Sequence, residues 1–140
     1  MNIGEAAKKA GVSAKMIRHY EQIKLLQPAG RTAAGYRQYD EHNIEQLSFI
    51  RQARLLGFSI RQIAALLGLW QNPQRSSRAV KQVAQQHLQD VEHKMRELAA
   101  MQATLQRMIA ACPGDEGAAC AILEQLSSPE PAFSGEPAKK

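Results

Sequence analysis

Two cysteines near the end of the chain have the side chains best suited to bind a metal ion. Cys112 and Cys120 are the two cysteines of the sequence, and they bracket the segment CPGDEGAAC. Thiolate sulfur is a soft ligand that suits Cu(I), Ag(I) and Au(I), whereas zinc needs four ligands and no histidine or third cysteine lies nearby in the sequence. Pro113 and Gly114 allow a sharp turn that brings both sulfurs towards one ion. The spacing alone also fits a redox-active or incidental pair.

The elements on either side of this segment must hold the two thiols. From Ser77 to Ala111 the sequence contains neither glycine nor proline, which predicts one long helix that ends just before Cys112. A short helical segment, Ala121 to Leu126, follows Cys120. The apolar residues of the long helix alternate at steps of three and four, with Gln102 at one step, as in a coiled-coil seam: Ala84, Leu88, Val91, Met95, Leu98, Leu105 and Ile109.

An apolar stripe of this length stays in water unless something covers it. We therefore expect a homodimer, in which a second copy of the chain covers the stripe. Folding of the long helix back onto the first half of the chain is the alternative. A chain of 140 residues is too short for two large domains, but it suffices for a small domain and a long helix.

The charge of the sequence is unevenly distributed. The formal net charge is +5. Residues 1–75 hold 11 Lys and Arg against 5 Asp and Glu, whereas residues 76–140 hold 7 against 8. The first half would therefore attract a polyanion such as DNA, although an ordinary solvated basic surface has a similar composition.

No segment predicts secretion or membrane insertion. The N-terminus lacks the apolar core of a signal peptide, and no apolar run is long enough to cross a bilayer. We therefore expect a cytoplasmic protein without a membrane partner. In that compartment a cysteine pair is more often a metal or redox site than a disulfide.

The first half of the chain predicts a winged helix-turn-helix domain. A short helix from Ile3 to Ala10 is stopped by Gly11, and Ser13 can cap a second helix. Gly30, Gly35 and the alternating segment YRQY then predict a small β wing. Residues 40–70 repeat the plan, with Asp40 and Ser59 as helix caps and Gly57 at the joint.

Several side chains of this domain suit phosphates and base edges. They are Lys15, Arg18 and Tyr20 on or near the second helix, and Arg31, Tyr36, Arg37 and Tyr39 in the wing. Strand alternation places Tyr36 and Gln38 on one side of the wing and Arg37 and Tyr39 on the other. Met16 is predicted to pack in the core, and for Tyr39 both a core position and DNA contact stay open.

Nothing in the sequence predicts an enzyme. No nucleophile and base occur in a catalytic arrangement, and the carboxylates of the long helix suit its solvated face. His87 and His93 are six residues apart, about 240° around a helix, so they do not form a metal-binding pair.

The chain resembles the MerR family of metal-responsive regulators, and within it the copper-sensing (CueR-like) branch. The segments that carry the resemblance are MNIGEAAKKAGVSAKMIRHYE, RTAAGYRQY, FIRQARLLGFS, the long helix and CPGDEGAAC, which together extend to about Leu126. The resemblance implies an all-α fold with a small β wing: an N-terminal winged helix-turn-helix head, a long dimerisation helix in an antiparallel coiled coil, and a C-terminal metal-binding loop.

The resemblance also implies boundaries and roles. It implies a DNA-binding domain over residues 1–75, a dimerisation helix over 76–111, and a metal-binding loop and short helix over 112–126. Residues 127–140 have no counterpart in the family, and their content of Ser, Pro, Glu and Lys predicts a disordered tail. Position by position, the residues that match DNA contacts of the family are Lys15, Arg18, Tyr20, Arg31, Tyr36, Arg37 and Arg54.

Cys112 and Cys120 match the metal ligands of the family, with one Cu(I) per protomer, or Ag(I) or Au(I) in its place. Divalent-metal members carry a cysteine where this chain has Ser77, so Ser77 resembles the monovalent sensors and would face the metal loop of the partner protomer. The implied function is activation of copper-resistance or efflux genes: the dimer distorts promoter DNA when metal binds, so that RNA polymerase can engage it.

Three positions depart from the family pattern. His19 replaces an aromatic residue, Ala121 replaces a proline, and Lys24 replaces a glycine at the end of a helix, where it would adopt a left-handed conformation. Other interpretations remain open at this point: a regulator on the same scaffold that responds to thiol oxidation or to a divalent metal, and a cytoplasmic copper-buffering protein.

Overall fold

The computed structural model describes residues 1–27 and 29–130, in two compact units. The first unit spans Met1–Gln85 and the second begins at Gln86. The helices and strands in chain order are α1 (Ile3–Ala10), α2 (Ala14–Gln22), β1 (Gly30–Arg31), β2 (Arg37–Gln38), α3 (Glu41–Leu55), α4 (Ile60–Trp70), α5 (Ser77–Ala111) and α6 (Ala121–Ser127). This order confirms the predicted helical class with a small β wing.

The first two helices form a helix-turn-helix with a stop and a start at the predicted residues. Gly11 ends α1 in the left-handed conformation, with φ of 71°. Ser13 caps α2, because its side-chain oxygen accepts a hydrogen bond from the Met16 N–H at 3.1 Å. A Cβ atom on Gly11 would lie 3.2 Å from Nε of Arg51 on α3, so this turn is also closely packed.

Lys24 adopts the left-handed conformation that its position predicts. Its φ is 63°, which among the described residues makes it the one non-glycine residue with positive φ. A Cβ atom makes this region unfavourable for most residues. The chain nevertheless turns here, because Leu25 and Leu26 must enter the core directly after α2.

The wing is a two-stranded antiparallel sheet. Gly30 pairs with Gln38 and Arg31 pairs with Arg37, and Gly35 makes the turn with φ of 87°. Exposure alternates along β2 and its neighbours as predicted: Tyr36 and Gln38 are exposed, whereas Arg37 is half-buried and Tyr39 is buried. Tyr39 is therefore a core residue, and Met16 packs against the same core.

The helices α3 and α4 begin at capping boxes and complete the core of the first unit. Asp40 and Asn43 exchange hydrogen bonds at the start of α3, and Ser59 and Gln62 do so at the start of α4. Gly57, with φ of 84°, joins the two helices. The largest apolar side chains buried there come from five segments of the first unit: Ile17, Leu26, Tyr39, Leu47, Ile50 and Ile63.

The long helix is uninterrupted from Ser77 to Ala111, as predicted. The Ser76 side chain accepts a hydrogen bond from the Ala79 N–H at 3.2 Å, which caps its first turn. The large apolar side chains of the seam are exposed: Leu88, Val91, Met95, Leu98, Leu105 and Ile109. No helix within the described part of the chain has the length and apolar character needed for a membrane span.

The last described segment is short. The helix α6 ends at Ser127, so the predicted tail over residues 127–140 begins within its last turn. Residues 131–140 of that predicted tail lie outside the described residues.

The conformation of Lys24 predicts that glycine stabilises this position. Replacing Lys24 with glycine removes the left-handed strain, and we expect the free energy of unfolding to rise by about 0.5–1 kcal/mol after the added entropy of the unfolded chain is subtracted. Urea denaturation measures the difference. Lys8→Gly, the same exchange in the interior of α1, should instead lower stability by about 1 kcal/mol. A loss of stability in both variants would contradict the strain at Lys24.

Candidate DNA-binding surface and thiol site

Side chains from α2 and the wing form one basic surface on the first unit. Lys15 and Arg18 are exposed on α2, and Arg31 and Tyr36 are exposed on the wing, where Tyr36 retains 74% of its accessible surface. Arg18, Arg31 and Arg37 line the same two neighbouring clefts. Three of the predicted DNA contacts, which come from three elements, therefore lie together.

The other predicted DNA contacts lie in different surroundings. Arg54 is exposed in the last turn of α3. Tyr20 is only 4% exposed and belongs to the core cluster, so the role that the structure gives it is packing of α2 onto the first unit. Its ring offers almost no surface to a ligand, because hydrophobic packing and exposure to DNA compete for the same atoms.

A carboxylate that the sequence analysis did not single out joins the wing to α2. The Tyr39 hydroxyl donates a hydrogen bond to Oε1 of Glu21, and a guanidinium nitrogen of Arg37 lies 3.5 Å from Oε2. Burial and the hydrogen bond to Glu21 raise the pKa of Tyr39 to about 12. The signal in the sequence was a single acid in the otherwise basic segment AKMIRHYEQ of α2.

The two thiols come together at the ends of two helices. Cys112 directly follows α5, and its N–H donates to the Ile109 carbonyl at 3.2 Å. Cys120 occupies the N-cap position of α6. The two Sγ atoms are 3.7 Å apart, and both cysteines are half-buried and unbridged.

The loop between the thiols reverses direction as its composition predicts. Gly114 has φ of 64°, in the left-handed region that favours glycine. The Gly117 N–H donates to a side-chain oxygen of Asp115 at 2.8 Å, which forms a tight local turn. The loop thereby returns Cys120 to the level of Cys112.

The start of α6 favours the thiolate form of Cys120. The Leu123 N–H is the largest cause of the lowered pKa of the Cys120 thiol, and the Cys112 thiol and the Ile122 N–H act in the same direction. Burial and the nearby Glu124 carboxylate oppose this shift of the pKa without cancelling it. A lowered thiol pKa makes a better metal ligand and a more reactive sulfur at neutral pH.

The arrangement brings two soft ligands within reach of one ion. At a metal–sulfur distance of about 2.3 Å, two sulfurs on one ion lie at most about 4.6 Å apart, and the observed 3.7 Å is within that limit. No group of three or more His, Cys, Asp or Glu that could hold a metal occurs among residues 1–27 and 29–130. Ser77 is the exposed first residue of α5.

Comparison with known proteins places the chain in a family. Residues 1–69 match the family described as MerR HTH family regulatory protein, and residues 44–108 match MerR, DNA binding. An uncharacterized HTH-type transcriptional regulator of Pseudomonas aeruginosa is 51% identical over 91% of this chain and 97% of its own length. The chain belongs to the MerR family. Its members are DNA-binding transcription regulators, which confirms the prediction that the chain is not an enzyme.

Two further relatives and one solved structure are similar to this chain over most of its length. HmrR of Sinorhizobium medicae is 48% identical over 91% of this chain and 86% of its own length. CueR of Yersinia pestis is 42% identical over 91% of each chain. Among solved structures, PbrR691 of Ralstonia metallidurans in complex with lead(II) superposes with a TM-score of 0.81 at 32% identity, over 91% of this chain and 99% of its own. The MerR fold predicted from the sequence is thereby confirmed.

The contacts of Cys120 predict its titration. In a Cys112→Ser variant, which isolates Cys120, we expect the thiolate absorbance to appear at a pH below that of an ordinary thiol, about 8.5. The reason is that the Leu123 and Ile122 N–H groups remain in place. Ultraviolet absorbance recorded against pH under reducing conditions measures the pKa of the Cys120 thiol. The shift should vanish in urea, where α6 is lost. An ordinary titration curve in the folded variant would show that α6 does not stabilise the thiolate.

Proposed function

We propose that this MerR-family regulator responds to Cu(I), which the thiolates of Cys112 and Cys120 bind with one ion per protomer. The observation that carries the proposal is the pair of half-buried sulfurs 3.7 Å apart, without a group of three potential ligands in the described part of the chain. Soft thiolates and a low coordination number suit Cu(I), Ag(I) and Au(I) better than zinc. Among these ions copper is the physiological one.

The relatives support a metal response, since two heavy metal-dependent transcription regulators of Rhizobium meliloti are each 46% identical to this chain, and the ligand set favours a monovalent ion. Regulators named CueR and HmrR share 40–48% identity with this chain, whereas PbrR691 was solved with lead(II) and a Bacillus megaterium MerR with mercury(II). This chain has Ser77 at the start of α5, and a serine hydroxyl is a poor ligand for a soft ion. A site that holds two thiolates and no third cysteine favours a monovalent ion.

The basic surface of the first unit would bind promoter DNA. Lys15 and Arg18 on α2, with Arg31, Tyr36 and Arg37 around the wing, supply cations and a hydroxyl for phosphates and base edges. Exposed Arg54 would add a contact from α3, and buried Tyr20 would pack α2 against the core. A regulator of this kind acts in the cytoplasm, where promoter DNA and RNA polymerase are found.

The metal would act by changing the balance between two arrangements of a DNA-bound dimer. Thiolate binding would fix the separation of the two helix ends that carry Cys112 and Cys120. Such an ion can shift the balance only by as much as its affinity differs between the arrangements. In the favoured arrangement the dimer would distort the promoter so that RNA polymerase engages it and transcribes copper-resistance or efflux genes.

Replacing either thiol tests the metal site. We expect wild-type protein, titrated anaerobically with Cu(I) against a competing chelator, to bind one Cu(I) per protomer and little Zn(II). Cys112→Ser and Cys120→Ser should each lose at least about tenfold in Cu(I) affinity, because one remaining thiolate is a weak site. Both should retain DNA binding and lose Cu(I)-dependent transcription from a promoter that the wild type activates.

The exposed carboxylate of the same loop provides the control. Glu116→Gln changes one charge near the thiols without removing a sulfur, so it should bind Cu(I) nearly as the wild type does. Preferential Zn(II) binding by the wild type would favour a divalent sensor, and a response to oxidant in metal-free protein would favour a thiol-redox regulator. Cu(I) binding without any DNA binding would favour a copper buffer.

The exposed stripe of α5 supports dimerisation. Leu98 lies near the middle of the stripe, and its side chain is 59% exposed. Met95 and Met101, the apolar residues about one turn away on either side, are also exposed. Covering such a stripe with a second copy removes apolar surface from water, and the three-and-four spacing matches a two-stranded coiled coil. Two heads would then be available for two half-sites on DNA.

A charge in the stripe should separate the copies. We expect Leu98→Glu to shift the mass in sedimentation equilibrium from twice 15.5 kDa towards 15.5 kDa, since a carboxylate in a coiled-coil seam must be desolvated. Ala100→Glu introduces the same charge about 200° around the helix and should remain dimeric. A wild-type chain that sediments as a monomer would contradict the proposed dimer.

A further inference from the structure

The Glu21 carboxylate lies where electrostatics alone would disfavour it. Its side chain is 7% exposed and lines the same cleft as Arg18, Arg31 and Arg37. A negative charge in this position repels DNA phosphates and loses hydration by burial. Its presence there therefore requires a compensating role.

The contacts of Glu21 connect the core to the wing. One carboxylate oxygen accepts the hydrogen bond from the hydroxyl of Tyr39, which is 1% exposed, and the other faces the Arg37 guanidinium at 3.5 Å. The backbone of Tyr39 is itself held, because its N–H donates to the Met1 carbonyl at 2.6 Å and its carbonyl accepts from the Met1 ammonium at 2.9 Å. The carboxylate is therefore bound to a rigid anchor on one side and to a cation of β2 on the other.

The wing transmits this restraint to its neighbours. Arg37 pairs with Arg31 across the two-stranded sheet, so a shift of β2 moves both arginines. Arg18 lies three residues before Glu21 on α2, which places the two on neighbouring positions of one helix face. A two-stranded sheet this short has little stability of its own, so its position depends on such contacts.

We propose that Glu21 is a positioning residue for DNA binding: it holds the wing against α2 so that Arg18, Arg31 and Arg37 form one phosphate-binding surface. This inference rests on the proposed function of that surface in DNA binding. The carboxylate orders the arginines before DNA arrives, which lowers the entropy cost of binding. The lower entropy cost of DNA binding outweighs the repulsion between the Glu21 carboxylate and the phosphates.

The conservative exchange Glu21→Gln separates positioning from simple electrostatics. Glutamine retains the size and an acceptor for Tyr39 but loses the charge that holds Arg37. If charge alone mattered, removal of a carboxylate would strengthen DNA binding; we expect binding to weaken about tenfold instead, at about 0.15 M salt. Glu45→Gln removes one charge from exposed α3 and should bind as the wild type does or slightly more tightly.

The measurement is fluorescence anisotropy on two duplexes, one selected by the wild type from a random pool and one of unrelated sequence. Its salt dependence distinguishes weaker phosphate binding from partial unfolding, because the slope of log K against log salt falls by about one for each phosphate that the protein no longer neutralises. We expect a shallower slope for Glu21→Gln, at temperatures where circular dichroism shows it folded. Tyr39→Phe, which keeps the ring and removes the hydroxyl, should also weaken DNA binding. This variant replaces Glu21→Gln in the test if Glu21→Gln does not fold.

The outcomes distinguish this inference from the proposed function. If the wild type selects no duplex from the pool and does not bind the unrelated one, the proposed DNA-binding surface is wrong and so is the role of Glu21. If the wild type binds, but folded Glu21→Gln or Tyr39→Phe binds as tightly or more tightly with an unchanged slope, the surface stands and the positioning role is overturned.

Discussion

The first N–H groups and the last carbonyls of a helix have no partners within it, and the way this chain satisfies them determines where its functional groups lie. Gly11 and Ser13 stop α1 and start α2 within three residues, which sets α2 across the core as an exposed basic helix. At the other end of the chain, Cys112 follows the end of α5 and Cys120 occupies the cap of α6. The thiol pair is thus assembled from two helix ends, and the same unpaired N–H groups that require a cap at α6 also favour the Cys120 thiolate.

The first unit combines a small core with a surface that has to carry several positive charges close together. Like charges around one cleft repel one another, and each flexible arginine loses entropy when it is ordered. The buried Glu21 carboxylate in the lining of the cleft relieves both costs, because it offsets part of the repulsion and restrains the Arg37 guanidinium. The hydroxyl of Tyr39 stabilises that carboxylate in turn. A tyrosine hydroxyl is protonated at physiological pH, so it can donate, and the rise of its pKa to about 12 reflects its burial and its hydrogen bond to Glu21.

Local signals in the sequence predicted much of this architecture. The caps at Ser13, Asp40 and Ser59 and the glycine-free run of α5 depend on residues only a few positions apart, so the sequence order shows them directly. The left-handed turn at Lys24 followed instead from the resemblance, because the family has a glycine there. The bond between Tyr39 and Glu21 joins residues 18 positions apart, and its formation depends on how α2 and the wing pack. The burial of Tyr20 also depends on packing between distant segments. Its residue type suits DNA contact, and helical periodicity alone does not show whether a given aromatic side chain lies in the core.

In the proposed metal site, the loop of seven residues between the two cysteines limits which ions can bind both sulfurs. Each sulfur is attached to a helix end, so an ion that binds both must accept the separation that the loop permits or move a helix to change it. An ion that needs four ligands would have to recruit further groups, and the loop carboxylates of Asp115 and Glu116 are hard oxygen ligands that suit a soft ion poorly. An ion satisfied by two thiolates needs no such recruitment. In the proposed site its binding free energy would therefore be available to hold the ends of α5 and α6 at one separation, and so to favour one arrangement of the protein.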